Sequence, residues 1–200
     1  MRLYFAHPVN TYDTDLERAI LVLIAHCFPG VEVDNPNTPE YQARYNKMKA
    51  STGGTHGDHK AMDVFYETIK DDDGCVAMPF LDCRMGLGVA GEVQKTLKYG
   101  KTAWLIKPSH ELTPEELDAF VTNPLNGAFT ICALHPEEIQ LLRDHPGDLK
   151  DNPPHCVVSH EETRLRTFLQ YNGAKRPYAE AHKVKMPAPP DFYALDPKKR

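Results

Sequence analysis

Residues 74–101 read GCVAMPFLDCRMGLGVAGEVQKTLKYGK. An apolar run from Gly74 to Pro79, a glycine-containing loop, a helical pattern from Val89 to Tyr99 and a closing Gly100-Lys101 before apolar Thr102 to Ile106 make one strand-helix-strand unit. A helix between two such strands carries the chain back across the sheet, so the strands run parallel. The same pattern puts one acid, Glu92, in the first turn of the helix and just beyond a strand end. Open α/β sheets bind ligands there, and the positive end of a helix favours a carboxylate. Glu92 is the leading functional candidate.

The alternation extends along the chain. Arg2 to Ala6 reads as a strand, Asp13 to Cys27 as a helix with acids in its first turn, and Val31 to Val33 as a second strand. Thr38 and Pro39 form a helix start after a turn-rich loop, with the helix running to about Ala50. Ser51 to Gly57 reads as a mobile loop, followed by a helix from about Asp58 to Lys70. Thr113-Pro114-Glu115-Glu116 opens a capped helix, Ala128 to Ala133 is a further strand, and His135 to Asp144 and Ser159 to Gln170 are helical, the last with a capping box of Ser159 and Glu162. This order predicts an α/β fold: a single doubly wound parallel sheet flanked by helices, with a C-terminal helical or irregular extension. Residues 1–185 form one domain, and the proline-rich tail 186–200 hangs free or wraps a neighbouring surface.

Two hundred residues, 41% hydrophobic and 26% charged, suffice for one sizeable core. A net charge of −5 argues against a nucleic-acid polymer or an acidic membrane as partner, with Lys198, Lys199 and Arg200 a local exception. No apolar run is long enough for a membrane span and the N-terminus does not read as a secretory signal, which points to a cytoplasmic protein. The five cysteines are scattered without a CxxC pair, so neither a disulfide framework nor a zinc site is suggested.

Gly86, Gly88 and Gly91 spell GxGxxG, which would let a pyrophosphate approach a helix N-terminus. That fingerprint belongs directly after the first strand of its unit, whereas Pro79 and Asp82 intervene here. A plain structural turn is a second reading. The third, which the context favours, is a small-molecule site whose loop amides hold an anionic or polyhydroxyl ligand while Glu92 acts on it.

LYFAHPV at Leu3 to Val9, a helix bearing Asp63, GCVAMP at Gly74 to Pro79, GLGVAGE at Gly86 to Glu92 and YGKTAWLI at Tyr99 to Ile106 together resemble the nucleoside 2-deoxyribosyltransferase superfamily, over about residues 1–108. The resemblance implies a Rossmann-like, flavodoxin-like sheet and a retaining N-glycosidic mechanism without a cofactor. In it Glu92 attacks the anomeric carbon of a nucleoside or nucleoside 5′-monophosphate, and the sugar passes to another base or to water. A second acid protonates the leaving base. Asp63 is the candidate, with Glu67 and Asp82 as rivals.

The resemblance also sets Tyr4 and His7 near the sugar. Where the family usually carries a DxGT-like loop, this chain has Asp82-Cys83-Arg84-Met85-Gly86. Arg84 is suited to bidentate phosphate binding, which favours a nucleoside 5′-monophosphate; the plainer alternative is a surface pair with Asp82. A nucleotide-sensing module without turnover and a dinucleotide-dependent enzyme are the competing functions. His56 and His59 flank Asp58 in a weak metal pattern better read as a polar helix start, so no metal is expected. Tyr171, Tyr178, Phe192 and Tyr193 could reach a neighbouring subunit, as C-terminal tyrosines do in the resembled family, and a homo-oligomer follows by that analogy.

Overall fold

The computed structural model describes residues 1–51 and 59–166. Its five strands are β1 (Arg2–Ala6), β2 (Glu32–Asp34), β3 (Gly74–Ala77), β4 (Thr102–Pro108) and β5 (Phe129–Ala133). They form one sheet in the order β2-β1-β3-β4-β5. β1 pairs in parallel with β2 and β3, and β3 with β4. This is the flavodoxin-like order, whose topological switch point lies between β1 and β3.

β5 departs from the expected parallel sheet, because it runs antiparallel to β4. The Ser109 amide donates to the Ala128 carbonyl at 2.9 Å and closes the connection as a wide hairpin. The helix between them, α5 (Pro114–Thr122), therefore returns the chain to the end of the sheet that it left.

The other helices are α1 (Asp15–Cys27), α2 (Pro39–Ser51), α3 (His59–Ile69), α4 (Leu87–Lys98), α6 (Pro136–Arg143) and α7 (His160–Arg166). Thr14 caps α1 by accepting from the Glu17 amide, and Thr113 with Glu116 completes the capping box of α5. Along β1 the side chains alternate between two cores. Tyr4 and Ala6 face a cluster with Phe65, Ile69, Val93 and Leu142 under α3, α4 and α6. Leu3 and Phe5 face another with Ile20, Ile24 and Phe120 under α1 and α5. Gly74 has to be glycine, since a Cβ there would come within 2.6 Å of the Thr102 carbonyl oxygen across the β3-β4 pair.

Two boundaries move. β2 sits one residue later than the sequence suggests, and α4 starts at Leu87, two residues before Val89. His56, residues 167–170 of the helix expected over Ser159 to Gln170, the C-terminal tyrosines and the tail 186–200 lie outside the described residues. Among the described residues no helix is long and apolar enough to cross a membrane.

Candidate functional site

The earlier start of α4 changes the setting of Glu92, which falls in the second turn instead of the first. Gly88 is accommodated inside the helix, so the glycine loop is shorter than its composition suggests. Glu92 is 6% exposed and its Oε1 accepts a hydrogen bond from the Tyr4 hydroxyl at 2.9 Å. Tyr4 comes from β1 and Glu92 from the helix after β3, so the pair bridges the two strands of the switch point. Burial pushes the Glu92 carboxyl up to about 8, while the Tyr4 hydrogen bond pulls the other way. Beyond the first turn a helix dipole has faded, which leaves burial in control.

Two further tyrosines close around this carboxyl. Burial raises the Tyr12 and Tyr66 hydroxyls above their ordinary range, and the charge of Glu92 adds to the shift of each. The Tyr66 hydroxyl lies 2.5 Å from where a Cβ of residue 91 would be, so Gly91 makes room for it. The Lys95 ammonium sits over the Tyr66 ring at 5.1 Å. Tyr45 stands near Tyr12 on the α2 side. Neither Tyr12 nor Tyr66 stood out in the sequence; an aromatic residue in the loop just after the first strand was the available signal for Tyr12.

His7 is buried below the same edge. Its Nδ1 faces the Phe5 carbonyl at 2.9 Å and its Nε2 faces Glu17 at 3.2 Å. Glu17, another residue without a sequence signal, is itself 3% exposed.

The loop before α4 is occupied by the protein itself. Arg84 bonds Asp82 and Glu162, each at 2.9 Å, and Arg166 reaches the same two acids at 2.6 and 2.7 Å. The pair of Arg84 with Asp82, the plainer of the two expectations, is formed, the guanidinium suited to a phosphate is engaged with two carboxylates, and α7 is clamped to the loop. The Leu87 amide donates to Thr163 Oγ1 at 3.4 Å, and Met85 pairs with Val157 in an isolated bridge. Gly86 packs against Thr163 and Phe80, and Gly91 against Tyr66; of the three motif glycines only Gly88 faces open space. The cradle of loop amides is therefore largely filled, by a segment that lies more than seventy residues away in sequence.

Asp63 lies exposed on α3, three residues before Tyr66, whose hydroxyl feels its charge. No hydrogen bond joins it to Glu92 among the described residues. Glu67 is exposed and lies 4.0 Å from Arg44. Among the described residues no three His, Cys, Asp or Glu side chains gather to hold a metal ion, and His56 lies outside them. A cleft of about 470 Å³ opens at the other end of α4, lined by Leu97, Lys101, Ala103, Ala133, Ile139 and Arg143. None of the predicted site residues lines it, and the buried carboxyl with its tyrosines carries more recognisable chemistry than this open basic groove.

No protein-family model matches the chain, and no match is found among curated proteins or solved structures.

Proposed function

We propose that the chain cleaves or transfers the N-glycosidic bond of a nucleoside, or of a nucleoside 5′-monophosphate, with Glu92 as the reacting carboxyl. The observation that carries this reading is the buried Tyr4–Glu92 hydrogen bond at the β1/β3 switch point. Glu92 as carboxylate attacks the anomeric carbon while the carbon–nitrogen bond breaks, and the electron pair leaves on the base nitrogen. Asp63, exposed on the neighbouring helix α3, is assigned as the acid that gives that nitrogen its proton. Water or a second base then attacks the anomeric carbon, which frees the carboxylate; in either case the attacking group gives up its proton to Asp63. Tyr4 donates to the carboxylate oxygen before attack and after release.

The high position of Glu92, about 8, means that it holds a proton at neutral pH unless a ligand changes its surroundings. A nucleophile must lose that proton, so the fraction of Glu92 ready to attack rises with pH toward about 8. The Arg84 pairs favour a plain nucleoside over a monophosphate, because a phosphate has to displace Asp82 or Glu162 first. The exposure of Asp63 favours a second reading, a module that binds a nucleoside or nucleotide without turnover. Absence of a cofactor, and assembly with further copies that complete the pocket, belong to the glycosidic proposal.

Chromatography of free base released from a panel of nucleosides and 5′-monophosphates, with and without an acceptor base, tests it. Release from the native chain that falls by at least about 10³-fold in Glu92→Ala is the expected result. No release from any substrate, with a nucleotide still raising the melting temperature, would favour the binding module.

A further inference from the structure

We infer that His7 is held as a buried imidazolium and that its pairing with Glu17 fixes Tyr12 beside Glu92. The His7 side chain has no exposure. Its Nδ1 meets the Phe5 carbonyl, a group that can only accept. Its Nε2 meets Glu17 Oε1. The partners of Glu17 identify it as a carboxylate: the Asp13 amide donates to it at 2.6 Å, the Asn35 amide group at 2.9 Å and the Asn37 amide group at 2.9 and 3.1 Å. The orientation of Asn35 is fixed because its Oδ1 accepts from the Asn37 backbone amide at 2.9 Å. Burial works against the charge of Glu17, and the hydrogen bonds from His7 and Asn35 overcome it.

Both ring nitrogens of His7 therefore face acceptors. A neutral imidazole has one N–H and would leave the other nitrogen lone pair against lone pair, a costly arrangement where water is excluded. The faces of the ring agree with the edges. Phe5 stacks on the ring at 4.0 Å and 6°, and Tyr12 lies against it at 4.8 Å with a tilt of 45°, so the imidazolium is set among aromatic groups that attract a cation. Among the described residues no lysine or arginine pairs with Glu17, which leaves His7 as the cation that balances it.

Tyr12 is where this pair acts. Pro8 and the short 3-10 turn Val9–Thr11 fold the chain back over the ring, with Thr11 Oγ1 donating to the Pro8 carbonyl at 2.7 Å. Tyr12 then stands within electrostatic reach of both Glu17 and Glu92. His7 is thus a positioning residue that acts through Tyr12. Its protonation stands on geometry alone; only the use made of Glu92 rests on the proposed function.

The full chain labelled with ¹⁵N-histidine tests the first step near neutral pH. The His7 ring, assigned by its loss in His7→Phe, is expected to show two N–H protons; one N–H overturns the imidazolium. Glu17→Gln keeps the shape but removes the charge, so His7 should drop to one N–H in the folded variant. The Glu92 carboxyl carbon, assigned by its loss in Glu92→Gln, should then titrate at lower pH as Tyr12 loosens and water enters. An unchanged midpoint in a folded Glu17→Gln chain overturns the positioning role. Should that variant not fold, Tyr12→Ala must shift the midpoint in the same direction, and a failure to do so overturns it equally. Neither readout uses catalysis, so absence of base release would sink the glycosidic proposal and leave this one standing.

Discussion

Glu92 and Asp72 are both buried carboxyls under the same sheet, and they are held in opposite ways. Glu92 has a hydrogen-bond donor, Tyr4, and no cation in contact among the described residues. Asp72, in the turn before β3, has Arg2 Nε 3.2 Å away and feels the charge of Lys101, yet neither of its oxygens receives a hydrogen bond. Burial and the neighbouring Asp34 carry Asp72 up to about 7 in spite of those cations. The Lys101 ammonium is committed elsewhere, to the carbonyls of Ile69, Lys70 and Asp72, where it closes the turn into β3. Charges nearby do not substitute for donors in place. The acid tied to a structural turn belongs to the fold, whereas the acid held by a single hydroxyl and walled by tyrosines is the one that the proposed reaction requires to change its charge.

The largest expected difference between the two is in activity. Glu92→Gln should abolish base release by at least about 10³-fold, and Asp72→Asn should leave it within about threefold. Equal losses in both would place the chemistry in the fold as a whole and end the distinction.

Stability against pH comes next. A carboxyl whose folded position is raised keeps its proton in the folded chain after the unfolded chain has released it, so stability falls with rising pH over that window. The window runs from the ordinary 4.5 to about 8 for Glu92 and from 3.8 to about 7 for Asp72. Each group tilts the curve by at most about 1.4 kcal/mol per pH unit. Denaturant melts at stepped pH should therefore show a decline that Glu92→Gln flattens up to about 8 and Asp72→Asn only up to about 7. A native curve that rises across this range would contradict both burial arguments.

A smaller effect sharpens the Glu92 side alone. Gly91→Ala drives a methyl into the Tyr66 hydroxyl and should cost about 1–3 kcal/mol. Tyr66→Phe should recover part of that loss in a double-mutant cycle, since it removes the clashing oxygen. Additive costs would mean that the tight contact carries no energy.

The smallest effect concerns the ion cluster beside the site. Glu162→Gln should change stability by at most about 1 kcal/mol, because its partners are partly exposed. It should nevertheless lower the KM for a 5′-monophosphate relative to the nucleoside, by releasing Arg84. An unchanged ratio removes Arg84 from the binding account.

Much of the fold was legible because it is local. Apolar runs at the right spacing mark four strands that proved parallel, and Thr113-Pro114-Glu115-Glu116 announces a helix start that the capping box realises. Glu92 was legible because a lone acid after a strand and glycines stands out. Its exact turn was not, since Gly88 reads as loop while packing allows it inside α4. The direction of β5 depends on the Ser109–Ala128 contact, which no periodicity encodes. The pairing of Arg84 with Asp82 was legible as the plainer alternative, but its second partner, Glu162, and the group that caps the α4 amide come from α7, which no short-range pattern shows. Tyr12 and Tyr66 matter through the directions of their side chains, and hydrophobic spacing cannot distinguish a tyrosine in the core from one that walls a carboxyl.

The seam between residues 85 and 157 has a consequence for biosynthesis. Met85 exchanges backbone hydrogen bonds with Cys156 and Val158, each at 2.9 Å, and Thr163 caps the first amide of α4. A nascent chain can pair β1, β3 and β4 once Pro108 has left the ribosome, but the helix carrying Glu92 stays uncapped until the stretch through Thr163 emerges. The frame of the molecule is thus assembled first, and its most chemically distinctive corner is completed only after about fifty-five further residues have emerged.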